Sequence, residues 1–512
     1  MSTTSPSGTT GPDGADGTGS SPQAPAARAA LLQRLTAAAE ALDLVPPPDA
    51  GDPMALLDLL VRHARSQGGT DVVWLLLVAL GGTYPDDALV RQATRRLDLD
   101  TVAEAALWLL TEALVRLRQA RMSTAEIEIV RGGTLVDVDF SARHNLNTGI
   151  QRVVRSAVPR WVADHDPVLV AWTAQGTTRT LTPVERGRVI AWSGPVEAPR
   201  QPETAAQRLI VPWRSVLVLP EVPAPHLCGM LAALAEHSGN AVTMVGYDAI
   251  PVVSADLMPP AEPNRFVRYL TIVKHAYRVS GISATAAAEY RGFARMLPAQ
   301  GLPGPDVTEC LLPVDVPAAG THAGATAATA LPLVLVVGSH EPRKNHLAVL
   351  HAAERLWREG LEFRLRFIGG SSWASKDFDR TVRRLRRAGR PVTIGRSVGD
   401  TDLWDSYRTA RFTVFPSLHE GYGLPIAESL AVGTPAITSD FGSTAEISRD
   451  GGTLPVDPRD DEALLEAMRR LLQDDALLAE LGAQARRRPV RSWDDYAAEL
   501  WDQLVATVEV DR

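Results

Sequence analysis

From residue 134 onward the chain alternates short apolar runs with helical stretches, and it does so twice. The first alternation places strands near 135–138, 168–170, 216–219, 242–245 and 277–282, with a helix starting at Gly149. The second places them near 333–337, 363–368, 392–394, 412–415 and 436–439, followed by a helical tail over 460–508. This is the pattern of βαβ units and a parallel sheet. Residues 317–330, rich in Ala, Gly and Thr, read as a linker. The expected fold class is α/β, with two Rossmann-like domains facing a cleft. Ligands of such sheets bind beyond the carboxyl ends of the strands, so chemistry is sought in the loops there.

The N-terminal part reads differently. Residues 1–25 are mostly Ser, Thr, Gly, Pro, Ala and Asp, with no basic residue before Arg28, so they read as a disordered tail and not as a secretory signal. Residues 26–125 carry apolar positions at helical spacing, broken at Pro46-Pro47-Pro48 and Gly81-Gly82, and are expected to be an all-helical packing or partner-protein module. A first α/β domain is expected over 126–322, a second over 323–490, and a final helical segment over 491–512.

Composition bounds the function. Of 512 residues, 45% are hydrophobic and the net charge is -8, which excludes a disordered chain and argues against a general nucleic-acid binder. Cys228 and Cys310 are too few for a disulfide scaffold and are expected to be reduced in the cytoplasm. The longest strongly apolar run, 72–80, is far short of the roughly 20 residues that span a bilayer. Arginines at 383, 384, 386, 387 and 390, and at 486, 487, 488 and 491, read as solvated helix faces. The sharper alternative is contact with anionic lipid at the inner face of the membrane. Of 52 Lys and Arg residues only Lys274, Lys344 and Lys376 are lysines, so a retained lysine draws notice as a point-like cation.

Two segments carry the chemistry. In 415–440 a strand ends near Pro416, a turn carries Gly421 and Gly423, and a helix begins at Leu424-Pro425. Glycines before a helix present free N–H groups and a positive dipole end to phosphate or sugar oxygens. Glu420 lies on the turn and Glu428 in the first turns of the helix, where a carboxylate can cap the helix or accept sugar hydroxyls. In Gly338-Ser-His-Glu-Pro-Arg-Lys-Asn-His346 a strand leads to a turn with Arg343 and Lys344, two cations suited to a diphosphate.

Together these segments resemble retaining glycosyltransferases of family 4, of GT-B fold. The E-x7-E spacing of Glu420 and Glu428, the string EGYGLPIAESLAVGTPAITSD and the loop GSHEPRKNH carry the resemblance. Thr148-Gly-Ile-Gln-Arg-Val153 and Tyr247-Asp-Ala-Ile-Pro251 add to it in the first domain. The resemblance implies that Arg343 and Lys344 hold the donor diphosphate and that Glu428 holds the ribose. Glu420, with the backbone of Gly421, Tyr422 and Gly423, would hold the transferred sugar, and Leu424 would line the donor site. Ser397 and Val398 would meet the base, and Gly149 would let the first domain's backbone approach the phosphates. The final helices would cross back onto the first domain. Two positions depart from the pattern. Ser339 stands where many members have arginine, and Tyr247-Asp248 where many have His-Asp. A tyrosine does not titrate near neutral pH as histidine does, which leaves Tyr247 and Asp248 as sugar- or acceptor-side contacts.

The resemblance implies transfer of a sugar, with mannose and GDP-mannose the first expectation, to a glycan or lipid-linked acceptor in cell-surface polysaccharide synthesis. It implies retention, read as same-face attack assisted by the leaving phosphate. No metal or other cofactor is expected, and His340, His346 and His419 read as loop residues bonding locally. An epimerase of the same fold needs no acceptor, and a non-catalytic sugar- or nucleotide-binding scaffold cleaves nothing.

Overall fold

The computed structural model describes residues 23–46, 48–49, 51–120, 124–194, 208–314, 316 and 331–510. The expected linker at 317–330 and most of the expected tail lie outside them; residues 23–25 open the first helix.

The N-terminal region holds helices Gln23–Ala41, Pro53–Gln67, Thr70–Gly81, Asp87–Leu99 and Val102–Ala120. The run Val72 to Gly81 is buried throughout, so Thr70–Gly81 is the central helix, enclosed by its neighbours rather than by lipid. The Asp52 and Asp86 side chains cap two of the helix starts. Arg34 is fully buried, and its guanidinium donates to the carbonyls of Ala79 and Ala125, each at 2.8 Å, near the end of the central helix. The helices share one core with the first sheet: Leu35, Trp74 and Leu76 cluster with Leu135, Val170 and Trp213. No described helix is long and apolar enough to cross a membrane.

The first sheet has nine strands: β1 (Ile127–Arg131), β2 (Thr134–Asp137), β3 (Val168–Trp172), β4 (Thr178–Thr180), β5 (Leu209–Trp213), β6 (Val216–Leu219), β7 (Ala241–Gly246), β8 (Arg278–Gly281) and β9 (Asp306–Glu309). Their order is β1-β5-β4-β3-β2-β6-β7-β8-β9. The sheet is not wholly parallel, as the alternation had suggested, because β4 runs antiparallel to β3 and β5. The β3–β4 turn closes with Thr173 N–H donating to the Thr177 carbonyl, which is too tight for a crossover.

The second sheet is wholly parallel: β10 (Leu333–Val337), β11 (Arg364–Ile368), β12 (Val392–Gly395), β13 (Phe412–Phe415), β14 (Ala436–Ser439) and β15 (Thr453–Val456), in the order β12-β11-β10-β13-β14-β15. The winding direction reverses between β10 and β13, so the loops that follow these two strands diverge over a crevice. In the first sheet the same reversal lies between β2 and β6. The chain then returns. Helix Trp493–Trp501 packs on helix Gly149–His165, with Tyr496, Leu500 and Trp501 in the core of Val154, Val158 and Trp161. The Trp161 indole donates to the Ala497 carbonyl at 2.8 Å.

Candidate active site

The crevice of the second sheet is built from two loops. After β10 a tight turn over Pro342–Lys344 ends at Asn345, which is left-handed at φ 52 and commits the chain to helix His346–Arg358. After β13, Gly423 takes φ 112, a conformation that other residues rarely adopt, and starts helix Leu424–Ala431 with no side-chain cap. Pro425 carries no N–H and the Ile426 N–H donates to the Gly423 carbonyl at 2.9 Å, so this helix start offers a ligand its positive dipole end more than free N–H groups.

The two loops meet through charge. Lys344 Nζ lies 2.5 Å from Glu420 Oε1, and Arg343 Nη1 lies 2.8 Å from Glu420 Oε2. Arg343 Nη2 reaches Glu341 Oε1 at 2.9 Å, and the Ser339 hydroxyl donates to that same oxygen at 2.8 Å. Burial pushes the Glu420 carboxyl up, but Lys344 and Arg343 outweigh it and hold the group well below the usual carboxylate range. Glu420 thereby holds two cations side by side that would otherwise repel each other.

The second unit also contacts the first. Arg152 Nη1 pairs with Glu428 Oε1 at 2.8 Å, while the Tyr407 hydroxyl donates to Glu428 Oε2 at 2.9 Å. The Tyr422 hydroxyl donates to the Leu312 carbonyl at 2.6 Å and the Ser283 hydroxyl to the Gly421 carbonyl at 2.7 Å. Glu446 accepts from the N–H groups of Ala284 at 2.9 Å and Thr285 at 2.5 Å, at the start of helix Ala284–Ala294. A Cβ on Gly421 would stand 2.8 Å from both Asp248 Oδ2 and the Tyr247 carbonyl, so this glycine permits the close approach of the two units.

Between the units lies a cavity of about 480 Å³. Every site residue expected from the sequence lines it except Ser397 and Val398. Those two lie on the loop after β12, with Ser397 exposed and Val398 packed against the core of the second unit; Leu403 of helix Asp400–Thr409 reaches the cavity instead. Gly149 opens helix Gly149–His165 at the cavity wall, where an added Cβ would meet only Leu424 Cδ1 at 3.8 Å, so packing within the chain does not demand a glycine there. Tyr247 lines the wall, but its buried hydroxyl donates to the Pro220 carbonyl at 2.7 Å, so it has no proton left for a sugar. Asp248 is half-buried, and desolvation pushes its carboxyl up to about 6 against the pull of Arg343.

A second cavity, of about 690 Å³, opens at the β2–β6 reversal and shares Thr148 and Ile150 with the first. Phe140, His144, Trp172 and Arg265 line it, together with Asp137 and Glu221. Glu221 accepts from the N–H groups of Phe140 and Ser141, each at 3.0 Å, and so caps the short helix Asp139–Arg143.

The loop histidines differ from expectation. His419 bonds across the units, with Nε2 2.6 Å from Glu289 Oε1 and Nδ1 2.8 Å from Ser254 Oγ. His340 and His346 are buried against Phe378, and Nδ1 and Nε2 of His340 and Nδ1 of His346 find no hydrogen-bond partner among the described residues. Burial pushes His346 down to about 3, so it is neutral. Among the described residues, the His–carboxylate group with metal-binding spacing is Asp87, Glu236 and His237, outside the cleft. Sequence reasoning passed over Arg152 although it lies inside the quoted Thr148–Val153 string. Glu289, Ser254 and Glu446 sit in no motif, so no local signal marks them.

Residues 322–488 match the family model described as Glycosyl transferases group 1. Among similar proteins, the serotype-specific mannosyltransferase WbdA of Escherichia coli is 26% identical over 337 residues, covering 62% of this chain and 38% of that protein. The O-antigen chain mannosyltransferase B of Escherichia coli is 36% identical over 143 residues, covering 28% of this chain and 37% of that protein. The chain thus matches well under half the length of these relatives. Sucrose-phosphate synthase from Thermosynechococcus elongatus superposes with a TM-score of 0.52 at 18% identity, over 74% of this chain and 100% of that one, a likeness of fold. The two facing sheets are those of a GT-B-like fold, and the second unit, with its paired cations and glycine turn, carries the match to the glycosyl transferases group 1 model.

Proposed function

We propose that the chain is a glycosyltransferase that moves a hexose, with mannose the first candidate, from a nucleotide diphosphate sugar to an acceptor hydroxyl in cell-surface polysaccharide synthesis. The observation that carries this reading is the pair of cations, Arg343 and Lys344, fixed by buried Glu420 at the wall of a cavity between two sheets. Charge that develops on a leaving diphosphate is met there by two dehydrated cations and by the N-terminus of helix Leu424–Ala431. Glu428 takes the ribose hydroxyls, and the backbone of 421–423 takes the transferred sugar. The acceptor enters through the neighbouring cavity at Phe140 and Trp172, whose shared wall at Thr148 and Ile150 brings its hydroxyl to the donor's face. Of the carboxylates on this wall, Glu341 and Glu420 are tied to Arg343, Glu428 to Arg152, and Asp248 is pushed toward its protonated form, which favours same-face attack with the leaving phosphate taking the acceptor proton, and hence retention. The mannose assignment rests on the likeness to the two Escherichia coli mannosyltransferases.

The test is donor binding across a panel of nucleotide sugars, followed by product analysis with an oligosaccharide acceptor. Acceptor-dependent release of nucleotide diphosphate and a product anomer matching the donor are expected. Sugar release indifferent to acceptor, or an inverted anomer, overturns the reading.

A further inference from the structure

Four side chains from distant parts of the sequence converge where the helical region meets the first sheet. Asp87 starts helix Asp87–Leu99, Glu236 and His237 end helix Cys228–His237, and His275 follows helix Ala261–Val273. His237 Nε2 stands 2.8 Å from Asp87 Oδ1 and 3.6 Å from Glu236 Oε2, and His275 Nε2 stands 3.4 Å from that same Glu236 oxygen. The His237 and His275 side chains are 5% and 7% exposed. We propose that Asp87, Glu236, His237 and His275 form a structural zinc site that staples the helical region to the first α/β unit, a role separate from sugar transfer.

The distances suit the ion. Zinc bonds to imidazole nitrogen and carboxylate oxygen are about 2.0–2.2 Å long, which places tetrahedral ligand atoms about 3.3–3.4 Å apart. Asp87, Glu236 and His237 offer ligand atoms that all lie within 4.8 Å of one another, and His275 joins the set through Glu236 Oε2 at 3.4 Å. Imidazole donors favour zinc over magnesium or calcium, which prefer all-oxygen shells. Arg91 stands on the outer side, 2.6 Å from Asp87 Oδ1 and 2.6 Å from Glu236 Oε1, and is 49% exposed. It leaves Glu236 Oε2 facing the two rings and steadies the carboxylates from outside, as hydrogen-bonded partners of metal ligands do. Asp86, Asp87, Arg91, Glu236, Lys274 and His275 line one cavity of about 550 Å³, in which three carboxylates face two cations. The four positions share no motif spacing, which is why sequence reading expected no metal.

The test uses the full chain, stripped with a chelator and titrated with zinc chloride or magnesium chloride. One zinc per chain is expected after gel filtration, with a melting temperature about 5 °C above the stripped protein and no response to magnesium. His237→Ala and His275→Ala should each weaken zinc binding at least about tenfold, while Arg91→Ala, which removes only the outer cation, still binds one zinc. Nucleotide-sugar binding should be unchanged in all three, which both certifies the fold and separates this test from that of the catalytic reading. If His237→Ala fails to bind nucleotide sugar, His275→Ala decides. Absence of stoichiometric zinc in the wild type, or zinc that survives both histidine substitutions, overturns the site.

Discussion

Arg152 and Glu428 meet across the cleft at 2.8 Å, and the same carboxylate accepts the Tyr407 hydroxyl on its other oxygen. A donor ribose bound at Glu428 therefore exchanges one charged partner for hydroxyls. Hydrogen bonds to a charged group contribute about 1.5–3 kcal/mol each. Glu428→Gln is expected to raise the nucleotide dissociation constant by about 10–100-fold, measured by calorimetry. An unchanged constant would remove the ribose assignment.

Lys344 offers the sharper kinetic test. Removing one donor to a developing anion costs about 10²–10³ in kcat. Lys344→Ala should lose that much turnover while circular dichroism and melting stay near wild type, because Arg343 still neutralises Glu420. Lys344→Arg should recover little, since a planar guanidinium does not replace a compact ammonium. Turnover above a tenth of wild type in the alanine variant sinks the diphosphate role.

Asp248 predicts a pH response. Burial pushes its carboxyl up from 3.8 to about 6, so the folded chain holds this proton more tightly than the unfolded one. The stability it contributes is fully present below the unfolded value and is lost as pH rises through about 6. A bound diphosphate favours the protonated form further, so affinity for a nucleotide sugar, whose phosphates do not titrate in this window, should fall between pH 5 and 7. Asp248→Asn should flatten that fall in a binding titration. An equally steep fall in the variant assigns it to another group.

Glu446 tests the joint between the units. Its carboxylate satisfies two N–H groups at the start of helix Ala284–Ala294, with the helix dipole in its favour. Glu446→Ala should cost about 1–2 kcal/mol in denaturant unfolding, the range of a lost cap. No change in midpoint would mean that water replaces it without loss.

The two cleft loops were legible because their physics is local. A glycine turn feeding a helix, with carboxylates eight residues apart, announces itself in Glu420 to Glu428. Arg343 and Lys344 follow a strand whose apolar run ends at Val337. What lay hidden depends on contacts far apart in sequence. Nothing near Tyr247 tells that the Pro220 carbonyl accepts its hydroxyl, and nothing near Glu289 points to His419. Strands β1, β4, β5, β9 and β15 escaped because their apolar runs are short, polar at the edge or interrupted by proline, as in Leu209–Trp213 and Thr453–Val456. Of the three lysines, Lys344 lines the cleft and pairs with Glu420. Lys376 is exposed and off the cleft, whereas Lys274 borders the cavity of Asp87 and His275.

The returning helix makes the second unit an insertion in space although it is a continuation in sequence. Trp493, Tyr496, Leu500 and Trp501 complete the core that Val154 and Trp161 begin. A recombinant exchange of donor units by one crossover, taking everything after residue 331 from another protein, would strand those tryptophans' partners against a foreign surface. Two crossovers, near 331 and 490, would keep the seam native. Exchange of the second unit in this architecture is thereby constrained to cassette replacement.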